Sequence, residues 1–201
     1  MSDAIPSVYG LILAGGSSTR MRRDKASLEY AGEPQLDRVF ALARRHLPEV
    51  YVSVRADQTG DRLRAGRPLV VDAFDGGGPI VGIRSALALR PDVAWLVLAC
   101  DLPFLSDEVL RHLLRERAPQ GVATAYRSHY DGLPEPLCAI WEPGAAAPLA
   151  SWQSAGRSCP RKFLVNHPVK LIEPLEARAL DNVNTPEEYQ EALAVLDHGA
   201  G

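Results

Sequence analysis

Cysteine is scarce in this sequence. The three present, Cys100, Cys138 and Cys159, are an odd number, and no C-x-x-C pair occurs. That excludes a disulfide miniprotein and a C-x-x-C metal or redox pair, and a reducing compartment is the simplest setting. Long apolar runs are missing too. Met1 to Gly10 has no basic run, and the piece from Gly10 to Gly15 is too short for a signal core or a membrane span. Positive charge is not in excess: 22 Lys+Arg face 25 Asp+Glu, spread along the chain, for a net charge of −3. Neither nucleic acid nor a membrane is therefore expected as a partner. The five histidines show no metal spacing, and no Ser-His-Asp or Cys-His set is suggested. Repeats, low-complexity tracts and domain linkers are absent as well. What remains is an ordinary globular composition, 46% hydrophobic and 23% charged over 201 residues, sufficient for one domain with one core. The expectation is a soluble, cytoplasmic protein.

Strand-like and helix-like segments alternate. Val8 to Leu13 is a short apolar run ending at a glycine pair, as a buried parallel strand would be. Val50 to Val54, Leu69 to Val71 and Trp95 to Ala99 read as further strands, followed by Gly121 to Tyr126, Leu137 to Trp141 and Val169 to Ile172. Helices are expected over Pro34–His46, Pro79–Arg90, Ser106–Arg117, Pro143–Ser154 and Pro186–Leu196. Proline at the first helical position, serine at a cap and Gly156 as a stop mark several of their ends. Repeated β–α alternation predicts a three-layer α/β/α fold of Rossmann-like type with a mostly parallel central sheet. Asp57–Pro68 and Tyr126–Pro136 are expected as the mobile loops.

Ligands of such sheets bind outside the carboxyl ends of the strands. Four segments follow strand ends there: Ala14–Lys25, Asp72–Pro79, Cys100–Phe104 and Tyr126–Pro136. In the first, Gly15 and Gly16 let the backbone approach a ligand, Ser17, Ser18 and Thr19 add hydroxyls, and Arg20 and Lys25 add positive charge. Neither the dinucleotide fingerprint nor the P-loop pattern is present. On composition the segment is equally a phosphate cradle or a solvated basic turn. Asp101, at the end of a buried strand, is equally a turn cap or a metal ligand. Asp72 reads as an Asx-turn or a ligand group, and Asp75 as a solvated carboxylate. Thr185, Pro186 and Glu188 form a capping box, which leaves Asn182 and Asn184 unexplained.

The run Leu13-Ala14-Gly15-Gly16-Ser17-Ser18-Thr19-Arg20-Met21-Arg22-Arg23-Asp24-Lys25 resembles the signature of the nucleotidyltransferase superfamily, which activates sugars and cofactors with nucleoside triphosphates. Asp72, Gly78 to Ile83, Ala99 to Leu105, Glu135 to Leu137 and Asp181 to Glu187 follow in order. With them the chain resembles the molybdenum cofactor guanylyltransferases over about residues 8 to 190. Arg22 stands where that family usually has glycine.

The resemblance implies one nucleotidyltransferase domain over 1–201, with a nucleotide-binding half at about 8–105 and an acceptor-binding half at about 106–190. It implies transfer of GMP from GTP to molybdenum-molybdopterin, with pyrophosphate as the second product. Leu13, Ala14, Gly15, Gly16, Lys25, Asp72 and Asp101 are the implied nucleotide-binding residues, and Asp101 the ligand of Mg²⁺. Lys25 meets the phosphates, and Arg20 is assigned to the leaving pyrophosphate because a planar guanidinium holds two oxygens at once. Arg20, Lys25 and Asp101 are thus the expected catalytic residues. Asn182 and Asn184 are carried over as contacts to the molybdopterin half. Transient contact with cofactor-delivering proteins and molybdoenzymes goes with that role. The alternatives are a relative using CTP or another phosphate acceptor, and a nucleotide-binding module that regulates a partner without turnover. The second requires a degraded site, whereas Gly15, Gly16, Arg20, Lys25 and Asp101 are all present.

Overall fold

The computed structural model describes residues 5–16 and 24–198, so Arg20, Arg22 and the three hydroxyl residues of the first loop lie outside the described residues. The main sheet is built from β1 (Val8–Leu13), β4 (Val50–Val54), β5 (Leu69–Val71), β6 (Ala94–Ala99), β7 (Ala123–Arg127), β8 (Pro134–Trp141) and β9 (Val169–Ile172). A hairpin of β2 (Glu29–Tyr30) and β3 (Glu33–Pro34) stands apart. The helices are α1 (Gln35–Arg44), α2 (Pro79–Leu89), α3 (Asp107–Arg115), α4 (Ala146–Ser154), α5 (Pro160–Val165) and α6 (Pro186–His198).

The 7-stranded sheet runs β5-β4-β1-β6-β8-β7-β9. β1 pairs in parallel with β4 on one side and β6 on the other, and β4 pairs in parallel with β5. β8 runs antiparallel to both β6 and β7, and β9 returns parallel to β7. The strand order reverses between β1 and β6, which opens a crevice at their carboxyl ends.

Alternation along the strands divides the core into two faces. In β6, Ala94, Leu96 and Leu98 face the layer of α1 and α3, while Trp95 and Val97 face α2, α4 and α5. All six residues of β6 are buried, which is why the strand reads as one apolar run rather than as alternating polarity. Each fully buried Leu, Ile or Val contributes about 1.5–3 kcal/mol relative to an exposed one. Helix α2 approaches the sheet so closely that a Cβ on Gly82 would lie 2.3 Å from Ser53 Oγ and 3.1 Å from Leu13 Cδ2. Only glycine fits there. Helix α6 closes over the β2–β3 hairpin through Ala192 and Tyr189 against Leu28 and Tyr30.

Several expectations need adjusting. β8 starts at Pro134, three positions before the expected Leu137. The hairpin and the short α5 were not anticipated, because elements of two and six residues carry no period to detect. The segment Asp57–Pro68, expected to be mobile, contains a 3₁₀ turn at Ala56–Gln58 and the fully buried Arg64. It is pinned against the first loop. The caps agree with their sequence signals: Ser106 accepts from Val109 N, and Thr185 and Glu188 complete a capping box. No helix among the described residues is long and apolar enough to cross a membrane.

Candidate functional site

A cavity of about 620 Å³ opens where β1, β4, β5 and β6 end. Leu13, Ala14, Gly15 and Gly16 form one wall and Asp72 with Gly76, Gly77 and Gly78 another. Lys25 and Asp101 close it toward the β6 side, with Leu137 of β8 at the edge. Every described residue assigned to nucleotide binding from the sequence therefore lines this one space. The strand order explains the gathering, since Leu13 of β1 and Ala99 of β6 are register partners in neighbouring strands although they lie 86 positions apart in the chain.

Lys25 and Asp101 are a direct pair. Lys25 Nζ donates to Asp101 Oδ2 at 2.9 Å and to Asn184 Oδ1 at 2.6 Å. About a fifth of each partner side chain in the ion pair is exposed, 22% and 21%, so the bridge sits at the cavity wall within reach of a ligand. Asn184 comes from the segment before α6, which Val183 N fastens to Asp101 O at 2.9 Å. Glu188 Oε2 accepts from both Asn184 N and Thr185 N, at 2.6 and 3.1 Å. The capping box thus also holds Asn184 in place. Asn182 is exposed, and it does not join Asn184 at the lysine. Alternation had suggested that the two amides share a side; only Asn184 reaches Lys25.

Asp72 lies across the cavity. Its Oδ1 is buried without a hydrogen-bond partner among the described residues. Burial pushes its carboxyl above the ordinary range, and the Arg55 guanidinium opposes that shift. An unpartnered buried acceptor on a ligand-sized cavity is set to receive donors that a ligand brings. Arg55 also lines the cavity and bonds the carbonyl of Gly15.

Asp101 is the residue to test for a metal. Among the described residues no group of three or more His, Cys, Asp or Glu gathers into a ready-made ion site. A hard ion of the Mg²⁺ kind takes one or two carboxylates and completes its shell with phosphate oxygens and water. A single carboxylate on the wall of a cavity with a phosphate-type glycine loop fits an ion that arrives with a nucleotide. Cys100, beside it, is buried, and burial pushes its thiol well above the usual range, so it stays protonated and inert.

Sequence reasoning missed Ser53 and Arg55 as lining residues and Arg64 behind them, whereas Asp24, Gly76–Gly78 and Leu137 lie in segments it singled out without assigning them individually. Those three segments carried a local signal. The others depend on partners far along the chain.

The chain is similar to known proteins in sequence and in fold. The chain is 35% identical over 182 residues to a molybdenum cofactor biosynthesis bifunctional protein of Synechocystis sp., and it spans about half of that longer relative, 52% of its length. It is 32% identical over 196 residues to a probable molybdenum cofactor guanylyltransferase of Pelotomaculum thermopropionicum, covering 94% of this chain and 93% of the relative. In fold it is similar to the crystal structure of molybdopterin-guanine dinucleotide biosynthesis protein A from Archaeoglobus fulgidus, with a TM-score of 0.78 and 23% identity, over 94% of this chain and 99% of that one. Residues 10–171 match the MobA-like NTP transferase domain, and the chain belongs to that family of nucleotidyltransferases.

Proposed function

We propose that this chain transfers GMP from GTP to molybdenum-molybdopterin, giving the guanine dinucleotide cofactor and pyrophosphate. The observation that carries the reading is the convergence of Gly15, Gly16, Lys25, Asp72 and Asp101 on one cavity. The names of the full-length relatives supply the acceptor. On this reading one domain holds both ligands, the nucleotide over about 8–105 and the acceptor over about 106–190.

Each residue then has a physical task. The backbone of Leu13 to Gly16 receives the nucleotide, and Lys25 brings positive charge to its phosphates. Asp72, with an acceptor oxygen in need of donors, takes the N1–H and N2–H edge of guanine, which cytosine does not offer. Asp101 would hold Mg²⁺, which supplies charge stabilisation to the phosphates when bound. The attacking phosphate is already ionised at neutral pH, so no side chain has to remove a proton from it. Catalysis rests on positioning and electrostatics. Arg20 is assigned to the departing pyrophosphate, and Asn182 and Asn184 to the molybdopterin side. Three free cysteines, Cys100, Cys138 and Cys159, support a reducing, cytoplasmic setting, with transient contacts to the proteins that deliver and receive the cofactor.

The test is pyrophosphate release and dinucleotide formation with molybdenum-molybdopterin, Mg²⁺ and either GTP or CTP. Turnover with GTP well above that with CTP is expected. Preference for CTP would move the assignment to a cytidylyl branch, and absence of turnover with both would leave a binding module.

A further inference from the structure

Arg64 is the one arginine among the described residues whose side chain is fully buried, at 0% exposure. Its guanidinium is spread over three partners. Nε and Nη2 both donate to the carbonyl of Ala14, the first at 3.2 Å. Nη2 also donates to Asp24 Oδ2 at 2.6 Å, and Nη1 to Asp61 Oδ2 at 2.8 Å. Asp61 lies three residues before Arg64 in the same turn and does not touch the first loop's Ala14 or Asp24 in the hydrogen bonds among the described residues. Ala14 and Asp24 lie 50 and 40 residues away, on the two sides of the first loop.

Both distant contacts bear on groups that face the cavity. A trans peptide points its C=O and N–H in opposite directions, and no described peptide is cis. Holding the Ala14 carbonyl toward Arg64 therefore turns the Gly15 N–H away from Arg64, toward the cavity that Gly15 lines and Arg64 does not. Asp24 in turn caps the 3₁₀ turn Lys25–Ser27, its Oδ1 accepting from Ala26 N at 3.0 Å. Its carboxylate is thereby shared between Arg64 and the turn that carries Lys25.

We propose that Arg64 is a positioning residue for the nucleotide phosphates: one buried guanidinium aims the Gly15 N–H through the Ala14 carbonyl and sets Lys25 through Asp24. It touches no substrate itself. The planar fork is what the task requires, because a single cation must serve two acceptors on opposite flanks of the loop. Lysine, a point charge on a flexible stem, keeps the charge but not the fork. The proposal rests on the nucleotide reading of this cavity.

Calorimetric titration of GTP into the wild-type chain comes first; a chain that binds no GTP refutes the nucleotide reading rather than this one. With binding established, Arg64→Lys, Asp24→Asn, Asp61→Asn and the double variant Arg64→Lys/Asp24→Asn are compared below their melting midpoints. Asp24→Asn retains an oxygen for Ala26 N while losing the charge that meets Arg64. Expected is a rise of roughly 10-fold or more in the GTP KM for Arg64→Lys and for Asp24→Asn, with the acceptor KM within about twofold. Asp61→Asn should leave the GTP KM within about twofold, and the double variant should be no worse than the poorer single one. Should Arg64→Lys melt below the assay temperature, Asp24→Asn set against Asp61→Asn decides alone. Lowered melting points with an unchanged GTP KM, a GTP KM raised equally by Asp61→Asn, or effects that multiply in the double variant would overturn the proposal.

Discussion

Replacing Lys25 by alanine separates what the bridge does for the fold from what it does for the reaction. In the folded chain the lysine donates to Asp101 at 2.9 Å and to Asn184 at 2.6 Å. Both ends of the ion pair are about a fifth exposed, so solvent screens it, and its stability contribution belongs near the upper end of the surface range, about 1 kcal/mol. For a chain of this length that corresponds to a fall of about 2–4 °C in Tm. The effect on turnover should be larger. A positive charge aimed at developing phosphate charge in a partly enclosed cavity is worth about 3–4 kcal/mol, or ~10²- to 10³-fold in kcat/KM for GTP. The assay is pyrophosphate release over a range of GTP concentrations, beside thermal melts of both proteins. A variant with kcat/KM within about threefold of wild type would refute the catalytic role. A variant that loses ~10 °C or more, and recovers wild-type rates when cooled, would show a structural lysine instead.

Three further perturbations follow from the same geometry. Asp72→Asn removes a carboxylate that burial disfavours: the folded pKa lies above the unfolded one, so the wild type loses stability as pH rises through that interval, and the variant should melt no lower than wild type at pH 7 while binding GTP more weakly; thermal melts across pH and GTP titration check both signs. Gly82→Ala forces a Cβ against Ser53 and Leu13 and should cost about 1–3 kcal/mol in chemical denaturation, with Tm and nucleotide affinity falling together because the same residue lines the cavity. The Arg45 and His46 contacts hold the Asp107 carboxyl down to about 2, so its contribution is present above the ordinary carboxylate range and is lost as pH falls through about 2; Asp107→Asn should flatten the acid side of the stability curve between roughly pH 4 and 2 and leave neutral turnover unchanged.

The three-layer fold was legible because its central strands are apolar on both faces. β1 and β6 stand out as short runs between glycine- and aspartate-bearing turns, and such runs are what a parallel sheet covered on both sides requires. The direction of β8 was not legible. A buried strand shows the same apolar run whichever way it points, and only its pairing with β6 settles the matter. The glycine loop, Lys25, Asp72 and Asp101, which line the cavity, were legible because each directly follows a strand end or belongs to a dense local motif. Arg64 was missed for the opposite reason. It lies in a polar stretch rich in turns, and its significance comes from an Ala14 carbonyl and an Asp24 carboxylate that no local pattern links to it. Asn182 and Asn184 looked equivalent in sequence; the register set by Val183 N on Asp101 O separates them.

The same connections explain why a site without an acid–base dyad needs so much supporting structure. When chemistry consists of bringing two anionic ligands together, its controlling quantity is the placement of charge rather than the transfer of a proton. Lys25 and Asp101 at the cavity wall are accordingly tied to further elements. Lys25 is held by Asp101 from the β6 end and by Asn184 from the segment before α6. Asp101 is fixed on its backbone side by Val183, and Asn184 by Glu188 of the capping box. A helix cap whose local purpose is to satisfy backbone donors therefore also sets the Asn184 contact to the lysine. The segment after β6 and the segment before α6 meet at that ammonium group, so displacement of either contact by a ligand alters the position of its charge.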